Sequence, residues 1–137
     1  MPSSIAPTSR DIARLVAYLP RLYAPGFQPI VRWGGEEPDA EGNFAMPWPE
    51  YDPLVVEFFQ CAAQACWSDY DYHAGEASRM LSDAERVAHA SLDEIKTMLT
   101  FCARGERFYD GHWGAVIEQG KIRALLERLQ QILAEQP

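Results

Sequence analysis

The chain has 137 residues, 47% of them hydrophobic and 23% charged, with a formal net charge of −8 at pH 7. This length and composition suit a single domain over residues 1–137 with its own core, and they exclude a disordered chain. No apolar run approaches the roughly 18 residues of a membrane span, and the first residues lack a secretory signal. We therefore expect no membrane partner, and three cysteines, an odd and small number that argues against a disulfide framework, favour a cytoplasmic protein.

The charge is distributed unevenly along the chain. Residues 36–94 hold fourteen acidic residues against only two arginines, while both ends are weakly basic. A protein that binds nucleic acid directly needs a basic stripe, so this pattern argues against that role. It suits a basic protein partner instead.

The N-terminal half predicts one helix followed by an irregular segment. After a loose arm over residues 1–7, Thr8 and Asp11 form the start signal of a helix that Pro20 should end. Residues 20–52 are predicted to be ordered although irregular, with one short extended piece over 29–33, because they are too aromatic for a linker. Three of those aromatic side chains are candidate interface residues, namely Trp33, Trp48 and Tyr51.

Helix signals dominate the rest of the chain. Asp52–Pro53 starts a buried helix, and two capping boxes start further helices, Ser82 with Glu85 and Ser91 with Glu94. Gly105 is expected to close the last of these as a left-handed cap. A short helix around Trp113 and a final amphipathic helix follow, the latter with the apolar stripe Ile122, Leu125, Leu126, Leu129, Ile132 and Leu133.

The predicted fold is therefore mainly α, a compact bundle of five or six helices with the Pro- and aromatic-rich segment packed across it. If the apolar stripe of the final helix exceeds what the core can cover, the same helix could support a homodimer.

One stretch carries a family resemblance. From Arg104 the chain reads Arg-Gly-Glu-Arg-Phe-Tyr-Asp-Gly-His-Trp, then a short helix to Gly120 and a leucine-rich helix. It resembles the motif of a bacterial family of uncharacterised helical domains, Arg-Gly-Glu-Arg-Phe, a variable residue, then Asp-Gly. The segment 46–51 is also similar. The resemblance covers the C-terminal third well, and it implies kinship but no catalytic residue.

That stretch is also the main candidate site, with Trp113 beside five polar side chains: Arg104, Glu106, Arg107, Asp110 and His112. Two guanidinium groups can clamp a phosphate or carboxylate, and the remaining three side chains can act as acid or base. Alternatively, the arginines bind the free carbonyls of the preceding helix and pair with Glu106 and Asp110.

Two further sets of residues are candidate sites. Asp69, Asp71 and His73 alternate, so they could bind a divalent metal, but a solvent-facing arrangement is the one we expect. Cys61, Cys66 and Cys102 are predicted to be buried thiols. The alternative is that one cysteine is a nucleophile with His73, His89 or His112 as its general base. No metal or cofactor is predicted, since no Walker loop, dinucleotide-binding glycine pattern or His-Glu-x-x-His occurs.

Two functions remain open. The first is a non-enzymatic protein-binding module, in its sharper form an acidic adaptor or inhibitor of a basic partner that handles nucleic acid. The second is a small enzyme or a domain that binds an anionic ligand, using Arg104–Arg107 with Asp110 and His112. The missing catalytic motifs favour the first.

Overall fold

The computed structural model describes residues 6–35, 38, 40–43 and 47–135. The predicted mainly α fold is confirmed, with helices α1 (Ser9–Val16), α2 (Leu19–Leu22), α3 (Pro53–Ala62), α4 (Ala74–Leu81), α5 (Ala84–Ala88), α6 (Leu92–Arg104), α7 (His112–Glu118) and α8 (Lys121–Glu135). Single 3₁₀ turns lie at Ala65–Trp67 and Gly105–Arg107. The described helices outnumber the five or six predicted, because α4 was not predicted and a short break after α1 separates α2 from it.

Three predicted helix starts are confirmed by their caps. The backbone N–H of Asp11 donates to the hydroxyl of Thr8 (3.2 Å), and that of Glu94 donates to the hydroxyl of Ser91 (3.1 Å). In both pairs the carboxylate also accepts from the capping residue's own N–H, which completes the box. Asp52 accepts from the N–H of Leu54 at 2.9 Å. Each cap satisfies backbone donors that the first helical turn leaves free.

Three local predictions were wrong. Pro20 does not end a helix but lies in the first turn of α2. No hydrogen bond is lost there, because N–H groups of the first turn have no acceptor within the helix. Ser82 donates back to the carbonyl of Ser78, so Asp83 caps α5 in its place. Gly105 is right-handed, with φ −59°, and the left-handed glycine of this region is Gly111, with φ 90°.

The irregular segment contains an antiparallel hairpin, β1 (Ile30–Gly34) and β2 (Trp48–Tyr51). Strand β1 coincides with the predicted extended piece, whereas β2 was not predicted. Ile30 pairs with Tyr51 and Gly34 with Trp48, with an irregular register between Ile30 and Arg32. Residues of this segment pack against the core as expected: Tyr23, Phe27 and Tyr51. Phe44 and Met46 lie outside the described residues, as do residues 1–5 of the predicted arm.

Helices α6 and α8 form the centre of the bundle. Helix α8 packs against α1, α5 and α7, and α6 packs against α3, α4 and α7. The stripe of α8 is buried by the chain's own core at Ile122, Leu125, Leu126 and Leu129, so it offers little apolar surface to a second copy. Within the described part of the chain, no helix is both long enough and apolar enough to cross a membrane.

Candidate functional site

The predicted site lies at the carboxyl end of α6, in the 3₁₀ turn after it and at the start of α7. Glu106 is its structural centre. One carboxylate oxygen accepts from the hydroxyl of Tyr51 (2.7 Å) and the backbone N–H of Trp113 (2.9 Å), and the other accepts from the N–H of Gly111 (2.9 Å). These three donors leave the carboxylate little capacity to act as an acid or base on a ligand.

Tyr51 reaches this carboxylate from strand β2. Burial first, and then the hydrogen bond to Glu106, raises the pKa of the Tyr51 hydroxyl well above its ordinary value of 10. The phenol therefore stays protonated and donates, while its oxygen accepts a longer bond from the N–H of Gly114 (3.4 Å). The contact fixes the hairpin to the turn.

His112 packs face down on the backbone at Gly105. A β-carbon at position 105 would overlap the imidazole ring, which explains why this right-handed position is a glycine. Phe101 contacts the ring edge-on, with centroids 5.4 Å apart, and Nε2 is enclosed with no hydrogen-bond partner among the described residues. Burial lowers the pKa of His112 below its ordinary value of 6.5, which favours the neutral ring.

The charged side chains around this turn do not converge. The Arg104 guanidinium lies over the ring of Tyr72 at 5.5 Å and near that of Tyr70 at 6.0 Å. Arg107 and Asp110 are exposed, and neither makes an ion pair within the described ranges. The predicted pairing of the arginines with Glu106 and Asp110 is therefore wrong, because Glu106 turns inward to backbone donors. Of the two arginines of the predicted clamp, Arg104 is engaged by these aromatic rings.

The tryptophans near this turn serve packing more than recognition. Trp113 donates from Nε1 to the carbonyl of Ala103 (3.0 Å) and stacks on Phe59 at 4.7 Å between centroids. Trp33 lies against Gly111, where an added β-carbon would stand 2.9 Å from the indole. Of the three predicted interface residues, only Trp48 is substantially exposed, at 45%, and its indole covers Gly34.

A cleft of about 160 Å³ lies elsewhere, between α4, the first half of α6 and the segment 68–73. Its lining holds five carboxylates and no lysine or arginine: Asp69, Asp71, Tyr72, His73, Glu76, Met80, Asp93, Glu94 and Thr97. We call it the acidic cleft. Asp69, Asp71 and His73 were predicted from the sequence to be solvent-facing or a metal site, but the sequence does not show that α4 and α6 lie beside them.

Hydrogen bonds hold the inner wall of the acidic cleft. Asp69 accepts from the hydroxyl of Thr97 (2.5 Å) and from the N–H of Asp71 (3.0 Å), and its own N–H donates to Thr100 (2.8 Å). The N–H of Ser91 lowers the pKa of Glu94, which keeps that carboxylate charged. The acidic cleft thus concentrates negative charge, and at its edge the Glu94 carboxylate also pairs with Arg86 at 3.5 Å.

No described group of three or more His, Cys, Asp or Glu side chains is arranged to hold a metal ion. The cysteines are free; Cys61 and Cys102 are buried and Cys66 is partly exposed. Burial raises the pKa of Cys102 to about 12 and raises those of Cys61 and Cys66 as well. A high thiol pKa disfavours the thiolate, so these cysteines are poorly suited to act as nucleophiles.

One protein-family model matches the chain over residues 7–135, and its description is a family of unknown function, DUF6508. No curated protein and no solved structure matches the chain.

Proposed function

Since the chain belongs to DUF6508, a family of unknown function, we propose from the geometry that it is a non-enzymatic, cytoplasmic protein-binding module whose acidic cleft receives a basic segment of a partner protein. The observation that carries the proposal is the concentration of five carboxylates around one open cleft, with no lysine or arginine in its lining. A lysine or arginine side chain entering it would meet charge on several sides.

The walls of the acidic cleft also suit a long cationic side chain. Met80 is 3% exposed and offers an apolar floor for methylene groups, and Tyr72, whose ring also lies 5.5 Å from the Arg104 guanidinium, forms part of the wall. The net charge of −8 would speed the encounter with a basic partner at low salt. Binding should therefore weaken as ionic strength rises.

The finer form of the proposal is an adaptor or inhibitor that covers the nucleic-acid-binding surface of its partner. Such a surface is basic, because it neutralises phosphates, and the acidic cleft offers carboxylates in their place. A partner of this kind should be released by competing DNA or RNA, whereas a merely basic partner without that activity should not.

A pair of variants with equal charge change tests the proposal. Asp71→Asn with Glu76→Gln removes two exposed carboxylates from the cleft, and Glu118→Gln with Glu135→Gln removes two exposed carboxylates from α7 and α8. The probe is a fluorescent lysine- and arginine-rich peptide, measured by anisotropy at two salt concentrations. The proposal expects the first pair to weaken binding tenfold or more, a loss of about 1.4 kcal/mol.

The control pair should bind within about twofold of the wild type. Equal losses for both pairs would mean that the peptide responds only to net charge, and the cleft would lose its assigned role. The alternative, an enzyme or anionic-ligand domain, has less support, because the Glu106 carboxylate already accepts three hydrogen bonds and the Arg104 guanidinium lies over the Tyr72 ring.

A further inference from the structure

The segment 68–73, which forms one wall of the acidic cleft, is fixed at its two ends by hydrogen bonds to the neighbouring helices. Near its start, Thr97 donates to the carboxylate of Asp69 at 2.5 Å, and the N–H of Asp69 donates to Thr100 at 2.8 Å. At its end, the carbonyl of His73 accepts a 2.9 Å hydrogen bond from the backbone of α4. The wall is thus attached to α6 on one side and continues into α4 on the other.

The middle of this wall is in contact with Arg104. Its guanidinium lies 5.5 Å from the ring centroid of Tyr72 and 6.0 Å from that of Tyr70, within the range of a cation–π contact. Arg104 follows Thr97 by seven residues, so both side chains lie on the same face of α6. Because a planar guanidinium stacks on aromatic faces, this one side chain can hold both rings against the helix.

Arg104 reaches the acidic cleft through Tyr72. Tyr72 lines the cleft, whereas Arg104 is not among the lining residues. Asp71 and His73, the neighbours of Tyr72 in sequence, line the cleft as well. The position of this ring therefore affects three consecutive residues of the wall, one of which carries an exposed carboxylate.

We propose that Arg104 is a positioning residue of the acidic cleft, which holds Tyr72 so that the wall is already formed when a cationic side chain of the partner enters. This inference rests on the proposed function, because it concerns how the same cleft binds its partner. A wall that is fixed in advance does not have to be ordered on binding, which saves conformational entropy.

The sign of the effect separates positioning from simple electrostatics. A positive charge near the cleft repels a cationic peptide, so removal of the Arg104 charge should strengthen binding if charge alone matters. If Arg104 holds the wall in place, its removal should weaken binding in spite of that gain. Arg107→Gln supplies the baseline, because it deletes the same charge three residues later in the chain from an exposed side chain.

The test uses purified full-length variants and the fluorescent lysine- and arginine-rich peptide, with anisotropy measured at about 0.15 M salt. Arg104→Gln should bind the peptide at least about threefold more weakly than Arg107→Gln, which is roughly what a cation–π contact at a surface is worth. Thermal melts establish that each variant is folded at the temperature of the measurement. A contact that only stabilised the fold would leave the affinity of the folded protein unchanged.

A double-mutant cycle tests whether Arg104 acts through Tyr72. Tyr72→Leu removes the ring and should itself weaken binding. When Arg104→Gln is added to Tyr72→Leu, no further loss should follow, because the contact is already absent. Binding should instead become slightly stronger, since a repelling charge is removed.

The outcomes distinguish this inference from the proposed function. If Arg104→Gln binds within about threefold of Arg107→Gln, or more tightly, the positioning role is wrong and the proposed function stands. An equal loss from Arg104→Gln with and without the Tyr72 ring would also overturn the positioning role. A wild type that does not bind the peptide would overturn the proposed function, and this inference with it.

Discussion

The hydroxyl of Tyr51 donates a 2.7 Å hydrogen bond to the carboxylate of Glu106 across 55 residues of sequence. The contact fastens the hairpin to the turn before α7. Because the same carboxylate also binds the N–H groups of Gly111 and Trp113, one side chain joins three parts of the fold.

Removing the phenol hydroxyl should weaken the fold without changing its shape. We expect Tyr51→Phe to lower the free energy of unfolding by about 1–2 kcal/mol, since it deletes a hydrogen bond to a charged group. Glu106→Ala should cost more, about 2–4 kcal/mol, because it leaves three donors without an acceptor. Urea unfolding measures both. Tyr70→Phe, on an exposed ring, is the control and should change stability by less than about 0.5 kcal/mol.

The space above Gly105 is filled by His112. Gly105→Ala should therefore destabilise the protein by about 1–3 kcal/mol, since the ring or the turn must move. Gly75→Ala in α4 is the matched control, because only Arg79 Nη1 lies near, 3.9 Å from the added carbon. That change should be neutral or stabilising by up to about 1 kcal/mol. Similar losses at both positions would argue against the packing of His112 on the turn.

Gly111 combines a left-handed backbone with a close neighbour. Gly111→Ala and Gly26→Ala place the same side chain at φ 90° and φ 80°, a strain of about 1–2 kcal/mol in each case. Only at Gly111 does the added carbon also meet Trp33, whereas nothing lies within 4 Å at Gly26. Thermal melts should show the Gly111 variant to be less stable by a further 1–2 kcal/mol or so. Equal effects would mean that strand β1 does not press on the turn.

Acid should weaken the fold through His112. Burial lowers the pKa of His112 in the folded protein, so the unfolded chain binds this proton more readily. The neutral ring's contribution to stability is complete above its ordinary pKa of 6.5 and is lost as the pH falls below that value. Urea midpoints at pH 7.5 and 5.5 should differ more for the wild type than for His112→Gln. His73→Gln, which removes an exposed imidazole, should keep the wild-type difference.

Part of the candidate site was predictable and part was not. The stretch from Arg104 to Trp113 does form one compact turn, as its caps and glycines indicated. The partners of its charged residues could not be predicted, because Arg104 and Arg107 were available to Glu106 locally, whereas the phenol that binds it lies 55 residues earlier. The backbone N–H groups of Gly111 and Trp113 also donate to this carboxylate, and Arg104 lies over the ring of Tyr72 instead.

By itself the sequence determined where α1, α3 and α6 begin and which face of α8 is buried. Thr8, Asp52 and Ser91 cap helices through donors that are two or three residues away, and the leucines of α8 repeat at the period of a helix. Such interactions form within a single turn of chain, so they do not depend on the rest of the fold. Local spacing was sufficient for them.

Only the tertiary structure decided the pairing of β2 with β1, the inward turn of Glu106 and the acidic cleft. The cleft brings Asp69, Glu76 and Asp93 together from three segments, and no one of these segments forms a cavity alone. These segments come together because α4 packs against α6 over the buried core. That packing closes long loops of chain and therefore lowers the conformational entropy. Burial of apolar side chains throughout the chain offsets that loss of entropy. This free energy of burial is contributed by the whole chain, so no single stretch of sequence predicts it.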